Sequence, residues 1–264
     1  MILNSKMKLK FLGTGTSQGI PVIGSNHPVC LSQNPKDKRL RSSVIITTNN
    51  NKKILIDCGP DFRQQMLSFG ESHIDALLVT HEHNDHIIGL DDLRPIIFNT
   101  NKNIPIYCLE RVSNEIIQRF PYAFATEKYP GAPSFDLYKI TNQPFELLGT
   151  LIEPIEVLHG KLPILGYKIG NLAYITDASS ISEDQLEKLK NLDILIINCL
   201  RAEELHASHF ILPQVLELAE ILKPKTTYLT HISHRLGFHD EIESLLPPHI
   251  KPAYDGLEVF LVKC

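Results

Sequence analysis

The chain has 264 residues, of which 43% are hydrophobic and 21% are charged, and its net charge is -4. This composition is typical of a soluble globular protein, and it provides no overall positive field that would attract nucleic acid. The five scattered cysteines do not suggest a disulfide framework, and no apolar run approaches the roughly 18 residues of a membrane-spanning helix. We expect a cytoplasmic protein with one domain over residues 1–264, in which residues 1–6 form a disordered extension.

Strand-like and helix-like segments alternate along the whole chain. The predicted strands are 7–12, 42–48, 53–57, 75–80, 104–108, 152–158, 166–169, 172–176, 193–198, 226–230 and 257–262. The predicted helices are 61–69, one that begins near residue 87, 111–120, 182–189 and 212–222. Ser182 and Gln185 are predicted to form a capping box, and residues 121–135 a surface loop or lid. Because hairpins are mixed with strand–helix units, we predict two stacked sheets with helices outside them.

One short segment concentrates metal-binding side chains. Residues 81–86 read H-E-H-N-D-H and follow directly after an apolar run that is predicted to be a strand. Imidazole and carboxylate together are suitable ligands for zinc, manganese or iron. A solvated polar loop is the alternative interpretation, but four such ligands at one strand end favour a metal site.

Four ligands from so short a loop cannot all bind one ion, so further ligands are expected at other strand ends. His159, Asp177 and His231 each follow a predicted strand directly. Each of them alone would more often be a satisfied polar residue than a ligand. Together with the first motif they make seven ligands, which is enough for two metal ions with Asp177 as the natural bridge.

The order H-x-H-x-D-H, then His, Asp and His, resembles the ligand pattern of the metallo-β-lactamase-fold superfamily. The resemblance implies an α/β (α+β) fold, a four-layer αββα sandwich with the metals at one edge. It assigns the first ion to His81, His83 and His159, the second to Asp85, His86 and His231, and the bridge to Asp177. Asp57, which ends the run I-L-I-D, matches the superfamily's early aspartate and is expected to orient a ligand histidine. A turn aspartate at a strand end is the alternative.

Further motifs are similar to those of one subfamily. They are the opening F-L-G-T-G-T-S at residues 11–17, the pair His206 and His209 before a helix, His234 after the last ligand, and the loop 24–30. Together they resemble the phosphoribosyl cyclic phosphate phosphodiesterase (PhnP-like) subfamily over Met7 to Val262. The resemblance implies that His209, as an imidazolium, contacts the phosphate and protonates the leaving oxygen. A polar histidine at a helix start is the alternative.

In that subfamily a cysteine-rich loop and the extra histidine hold a third, structural zinc. Here Ser25 and His27 stand at cysteine positions, so His27, Cys30 and His234 remain as ligands. A structural zinc usually has four protein ligands. A loop in which these residues only form hydrogen bonds is the other interpretation.

The expected function is that of a metal-dependent phosphoric diester hydrolase. A hydroxide bridging two divalent ions, Zn or Mn, would attack a small, cyclic phosphodiester. His209 would assist the leaving group, and Asp85 would accept a hydrogen bond from the nucleophile. Arg39 or Arg41 could bind a substrate phosphate, although a solvated loop explains them equally well. We expect a small-molecule substrate rather than nucleic acid or a membrane, and the resemblance suggests a homodimer.

Other functions stay open at this point. The tRNA 3′-processing ribonucleases share the opening motif, but they carry a long basic arm where this chain has only 17 residues between His159 and Asp177. A role like that of the pyrroloquinoline quinone biosynthesis protein would be an oxidative one. Thioester or β-lactam hydrolysis and a non-enzymatic metal-binding module are further alternatives.

Overall fold

The computed structural model describes residues 7–261, which form two compact units. The first unit combines the described residues up to Leu12 with Ser43–Thr141 and the described residues from Glu258 onward. The second unit combines Gly13–Ser42 with Asn142–Leu257. The predicted extension at residues 1–6 and the end of the predicted strand 257–262 lie outside the described residues, and the single domain stays a prediction.

The strands are β1 Lys8–Gly13, β2 Ser43–Thr47, β3 Lys53–Ile56, β4 Ala76–Leu78, β5 Ile104–Leu109, β6 Phe135–Ile140, β7 Phe145–Leu147, β8 Thr150–His159, β9 Leu162–Ile169, β10 Leu172–Ile175, β11 Ile194–Asn198, β12 Thr226–Thr230, β13 Ile250–Pro252 and β14 Glu258–Phe260. The helices are α1 Pro28–Leu31, α2 Phe62–Ser68, α3 Asn84–Ile87, α4 Arg94–Thr100, α5 Glu110–Arg119, α6 Pro121–Phe124, α7 Glu183–Lys188, α8 Leu212–Leu222 and α9 His239–Leu245. Short 3-10 helices span Pro35–Asp37, Ile88–Leu93 and His234–Leu236.

The first unit is built on a mixed sheet with the strand order β14-β1-β2-β3-β4-β5-β6. Strands β3 to β6 are parallel, so helices must connect them, and α2, α3–α4 and α5–α6 do so. The central strands are buried on both faces, which explains their continuous Ile and Leu runs. Because β3 and β4 are parallel, Asp57 and residues 81–86 follow them at the same edge of the sheet.

The second unit is built on a second mixed sheet, with the order β13-β12-β11-β10-β9-β8-β7. Strands β10 to β13 are parallel, while β8, β9 and β10 pair in antiparallel fashion. Strand β8 therefore runs in the same direction as β10. As a result His159, Asp177 and His231 all lie at the carboxyl-end edge of this sheet.

The structure confirms the predicted α/β fold class, with two mixed sheets and flanking helices. The boundaries predicted for α8 and β12 are those observed. The capping box at Ser182 was wrong, because Ser182 donates to the Asp184 carboxylate and Gln185 Oε1 accepts from the backbone N–H of Glu156. Among residues 7–261, none of the helices has both the length and the apolar character needed to cross a bilayer.

Several elements were missed, each with a weak pattern in the sequence. Strand β6 begins inside the predicted loop 121–135, and its single partner β5 leaves most of its side chains partly exposed. Strands β7 and β13 have three residues each, too few to show a period. The helix expected near residue 87 begins at Asn84, inside the H-E-H-N-D-H segment.

An ion-pair network connects strands β1 and β3 of the first unit to the segment that follows α2. The Glu71 carboxylate accepts hydrogen bonds from Lys10 Nζ at 2.7 Å and from Lys53 Nζ at 2.6 Å, and only 9% of its side chain is exposed. Burial alone would raise the pKa of Glu71, but the two ammonium groups outweigh burial and hold that pKa below its usual value. A carboxyl with a lowered pKa stabilises the fold above its unfolded pKa and loses this effect as the pH falls through the folded one.

We therefore expect Glu71→Gln to destabilise the protein by about 1–2 kcal/mol at pH 7. The difference from the unsubstituted protein should begin to shrink below about pH 4.5, as the carboxyl of the unfolded chain becomes protonated, and it should be lost as the pH falls through the lower pKa of the folded state. Denaturant unfolding at pH 7 and pH 3.5 measures it, with the exposed Glu217→Gln as the control. A pH-independent difference would contradict an electrostatic origin.

Candidate metal centre

The first cluster, defined as Asp57, His81, His83, Asp85 and His86, is organised around Asp57. This carboxylate is fully buried, and it accepts hydrogen bonds from the backbone N–H of Thr80 at 2.8 Å and from Thr80 Oγ1 at 2.9 Å. His86 Nδ1 donates to it at 2.7 Å. Burial raises the pKa of Asp57, and these partners partly offset that rise. The bond places the His86 proton on Nδ1 and directs the Nε2 lone pair away from Asp57.

The other members of the first cluster lie close to His86. His86 Nε2 is 3.2 Å from Asp85 Oδ2, and the rings of His81 and His86 are 4.2 Å apart between centroids. His81 Nε2 is 3.0 Å from His83 Nδ1, and His81 Nδ1 is 3.0 Å from Thr80 Oγ1. The Thr80 hydroxyl donates to Asp57, so it is oriented to accept from His81. One buried carboxylate thus fixes His86 directly and His81 through Thr80.

Close backbone packing holds the first cluster in position. The N–H of Cys58 donates to the carbonyl of His86 at 2.7 Å, and the N–H of Gly89 donates to the carbonyl of Cys58 at 3.0 Å. A Cβ at residue 89 would lie 1.9 Å from the carbonyl oxygen of Gly59. Only glycine fits at residue 89, because any side chain would push the turn after β3 away from the motif.

The second cluster, defined as His159, Asp177, His209 and His231, lies in the second unit. Asp177 Oδ1 is 3.1 Å from His231 Nε2, and Asp177 Oδ2 is 3.6 Å from His209 Nε2. His159 Nδ1 lies 2.8 Å from the carbonyl oxygen of Asp177 and 2.7 Å from that of Ser208. Carbonyls only accept, so Nδ1 carries the proton, and the Nε2 lone pair of His159 is the one that a metal could bind.

Three of the predicted site residues have a left-handed backbone, which costs free energy in non-glycine residues. The φ values are 62° at Asp57, 57° at Asp177 and 52° at His231. Buried hydrogen bonds hold the residues that follow them: Asn198 bonds both backbone groups of Ala178, and Ile232 exchanges backbone bonds with the segment 14–16. Backbone strain of this kind is found mainly at functional sites.

His209 also borders a cavity of about 350 Å³ in the second unit. Its lining includes Arg201, Arg235, His206, His234, Thr16 and Ser233. Burial lowers the pKa of His209 to about 4, with a partly opposing effect from Asp177. Both arginines also form ion pairs with Glu204. The cavity offers cationic, imidazole and hydroxyl groups, a combination that suits a phosphate.

The two candidate phosphate-binding arginines differ in exposure. Arg39 is 3% exposed, and its guanidinium donates to Thr14 Oγ1 at 2.8 Å, to the carbonyl of Ala253 and to His239 Nδ1 at 3.2 Å. This placement favours a structural role for Arg39. Arg41 is half-buried, and its Nε donates to the carbonyl of Ser17.

Only two of the three residues expected at a third metal site, His27 and His234, lie together. His27 accepts a backbone hydrogen bond at the start of α1, and its ring lies 4.8 Å from that of His234 between centroids. Cys30 is buried in a small apolar cluster with Ile20 and Val29. The ligand-atom clusters found in residues 7–261 do not include these three residues, so the geometry gives no support to this site.

The sequence did not reveal another group of metal-binding residue types, His239, Asp240 and Glu243 on α9. Arg39 can only donate, so His239 Nδ1 accepts and the ring proton is on Nε2, which faces Glu243 Oε2 at 3.7 Å. A protonated Nε2 is not a metal ligand. The partners Thr80 and Asn198 were also missed, since no sequence signal connects them with ligands far along the chain.

The donor set of the two clusters fits divalent transition ions. It consists of imidazole nitrogens and carboxylate oxygens, and the ligand atoms of Asp177, His159 and His209 lie within 4.8 Å of one another. The tautomers of His86 and His159 are fixed by protein acceptors, as is typical of histidine ligands. This combination is usual for zinc and manganese.

Comparison with known proteins identifies the family of this chain. Residues 52–232 match the Beta-lactamase superfamily domain. A solved structure described as a new diphosphatase from the PhnP family has 40% identity and a TM-score of 0.90, covering 97% of this chain and 98% of that one. An octanoyltransferase of Porphyromonas gingivalis is 42% identical over 97% of this chain but only 52% of its own length, so this chain spans about half of that relative.

A more distant structure, zinc-bound PqqB from Methylobacterium extorquens, has 17% identity and a TM-score of 0.78, covering 96% of this chain and 100% of that one. At this identity the likeness shows the fold alone. The family match includes every residue of the two clusters, and the 40% identical structure covers nearly the whole chain. We conclude that the chain belongs to the β-lactamase superfamily, within which it is similar to the PhnP family.

Proposed function

We propose that this protein is a metal-dependent phosphodiesterase that hydrolyses a small, cyclic phosphodiester. The observation that carries the proposal is the position of His209. Its Nε2 lies 3.6 Å from Asp177 Oδ2, and it borders a cavity with guanidinium, imidazole and hydroxyl groups. An acid–base group beside metal-ligand types and an anion-binding cavity is the arrangement that phosphate ester hydrolysis needs. The similarity to a PhnP-family diphosphatase supports the same chemistry.

The ligand pattern of the family supports a two-metal site. In our proposal His81, His83 and His159 hold one ion, Asp85, His86 and His231 hold the other, and Asp177 belongs to both. Two divalent ions, zinc or manganese, would supply Lewis acidity and lower the pKa of a bound water. Zinc is the first ion to test, because imidazole and carboxylate ligands suit it.

The remaining roles belong to protein side chains. Asp57 holds the His86 proton on Nδ1, and the carbonyls of Asp177 and Ser208 do the same for His159. His209 gives a proton to the leaving oxygen, for which its imidazole must first be protonated. Burial disfavours that form, and a bound phosphate anion favours it. Asp85 accepts a hydrogen bond from the attacking water, and Arg41 contributes a positive charge.

Two other functions need a direct test. A tRNA-processing ribonuclease would be expected to carry a basic arm between His159 and Asp177, where this chain has only the hairpin of β9 and β10. The relative named octanoyltransferase makes an octanoyl thioester the second substrate class to test, since thioester hydrolysis is open on superfamily grounds.

The main test combines metal analysis with a substrate panel. We expect about two metal ions per chain, and loss of activity on chelation that zinc or manganese restores. The panel contains bis-p-nitrophenyl phosphate, 2′,3′-cyclic nucleotides, cyclic ribose phosphates, a precursor tRNA and an octanoyl thioester. Turnover of the small diesters supports the proposal. Turnover of the tRNA or the thioester alone, or a fully loaded but inactive protein, contradicts it.

The role of His209 predicts a separation of catalysis from metal binding. His209→Ala should lower kcat for a diester with a poor leaving group by about 10²–10⁴-fold while the metal content stays normal. The effect should be smaller for a p-nitrophenolate leaving group, which needs no proton. His249→Ala, a half-buried histidine of the same unit, is the control. Unchanged turnover would remove His209 from the mechanism.

The role of Asp57 predicts weaker metal binding. Asp57→Asn keeps the size of the side chain but removes the charged acceptor of His86, so metal affinity should fall by about 10–100-fold. Competition with a chromophoric chelator measures this affinity, and the exposed Asp136→Asn on β6 is the control. Equal affinities for the variant and the unsubstituted protein would show that Asp57 serves the fold only.

A further inference from the structure

One residue of the H-E-H-N-D-H segment is neither a ligand nor a solvated loop residue. Glu82 stands between His81 and His83, and only 14% of its side chain is exposed. Its carboxylate accepts from Arg111 Nε at 2.8 Å and from Arg111 Nη2 at 3.0 Å. The two parallel bonds fix the plane of the carboxylate as well as its position.

A second arginine holds the backbone of the same residue. Arg119 Nη1 donates to the carbonyl oxygen of Glu82, and Arg119 Nη2 donates to Glu115 Oε2 at 3.0 Å. Residue 82 is therefore held through both its side chain and its main chain. A loop residue restrained in this way has little freedom to shift the histidines on either side of it.

Both arginines lie on α5, the helix that follows β5. Two residues of this helix, Val112 and Ile116, are fully buried in the core of the first unit. The helix is thus a rigid part of that unit, and the bonds from Arg111 and Arg119 connect the loop after β4 to it. Nothing in the spacing of the H-E-H-N-D-H segment indicates this connection, since 29 residues separate Arg111 from Glu82.

We propose that Glu82, Arg111 and Arg119 form a positioning clamp that fixes the spacing of His81 and His83 before a metal ion binds. The inference rests on the proposed metal-binding function. The clamp acts in two ways. It fixes the backbone between the two imidazoles, and it keeps the Glu82 carboxylate on the arginine, where it does not compete with the imidazoles for the ion. Glu82, Arg111 and Arg119 touch neither substrate nor metal in this proposal.

The test uses conservative variants that keep the charge of the arginine or the shape of the glutamate. Arg111→Lys retains the positive charge but loses the two-bond geometry, and Glu82→Gln loses the negative charge. We expect each to weaken zinc affinity at the site of His81 and His83 by about 10-fold. The zinc affinity of the double variant should equal that of the single variant with the lower affinity, because both substitutions break the same interaction.

Two further measurements separate positioning from general stability. The visible absorption spectrum of the cobalt-substituted protein reports ligand geometry and should change in both single variants. Thermal unfolding of the metal-free protein sets a temperature at which every variant is folded for the binding assays. The controls are Glu110→Gln, an exposed ion-pair residue on the same helix, and Arg63→Lys, an exposed arginine on α2. Both should keep the affinity and the spectrum of the unsubstituted protein.

The outcomes distinguish the clamp from the proposed function. If the unsubstituted protein binds two ions and the single variants bind them with unchanged affinity and cobalt spectrum, the clamp is overturned and the metal site stands. If the unsubstituted protein binds no ion, the proposed function fails, and the clamp fails with it. The clamp is supported if Arg111→Lys and Glu82→Gln have a lower zinc affinity and a changed cobalt spectrum while the two control variants do not.

Discussion

The first cluster depends on one buried carboxylate. Asp57 is fully buried, and such a group is stable only when its oxygens are hydrogen-bonded. Its partners are the backbone and hydroxyl of Thr80 and the ring of His86, all of which follow the neighbouring strand β4. Leaving a buried hydrogen-bonding group without its partner costs about 1–3 kcal/mol, so the turn after β3 and the histidine motif after β4 stabilise each other.

The second cluster is also held in place by buried hydrogen bonds, but other residues form them. Asp177 and His231 end parallel strands in the left-handed conformation, and buried polar groups hold the backbone beside them. Here a neutral amide, Asn198, has the role that a carboxylate has in the first cluster. In both units a strained residue at a strand end is held in place by the hydrogen bonds of the residue that follows it.

The sequence was a good guide wherever a residue could be recognised by its own position. The strand ends located His159, Asp177 and His231, and the run before Asp57 located that aspartate. Residues that hydrogen-bond the site from distant parts of the sequence could not be predicted in this way. The sequence around Thr80, Asn198 and Arg111 does not indicate which residues they contact. Arg39 was misleading because it lies in a cluster of basic residues, yet the fold buries its guanidinium against Thr14, Ala253 and His239. Edge strands such as β6 were not predicted, because a strand with a single neighbouring strand is only partly buried and shows little hydrophobic pattern in its sequence.

The contact between Gly89 and Gly59 has a consequence for protein engineering. The six residues of the histidine motif would not keep their arrangement if they were transplanted alone onto another scaffold, because their geometry comes from a glycine-to-backbone contact and a carboxylate outside them. Because Arg111 and Arg119 also hold Glu82, the smallest portable module would run from the beginning of β3 at Lys53 to the end of α5 at Arg119. Grafts shorter than this would bring the imidazoles without the parts that orient them.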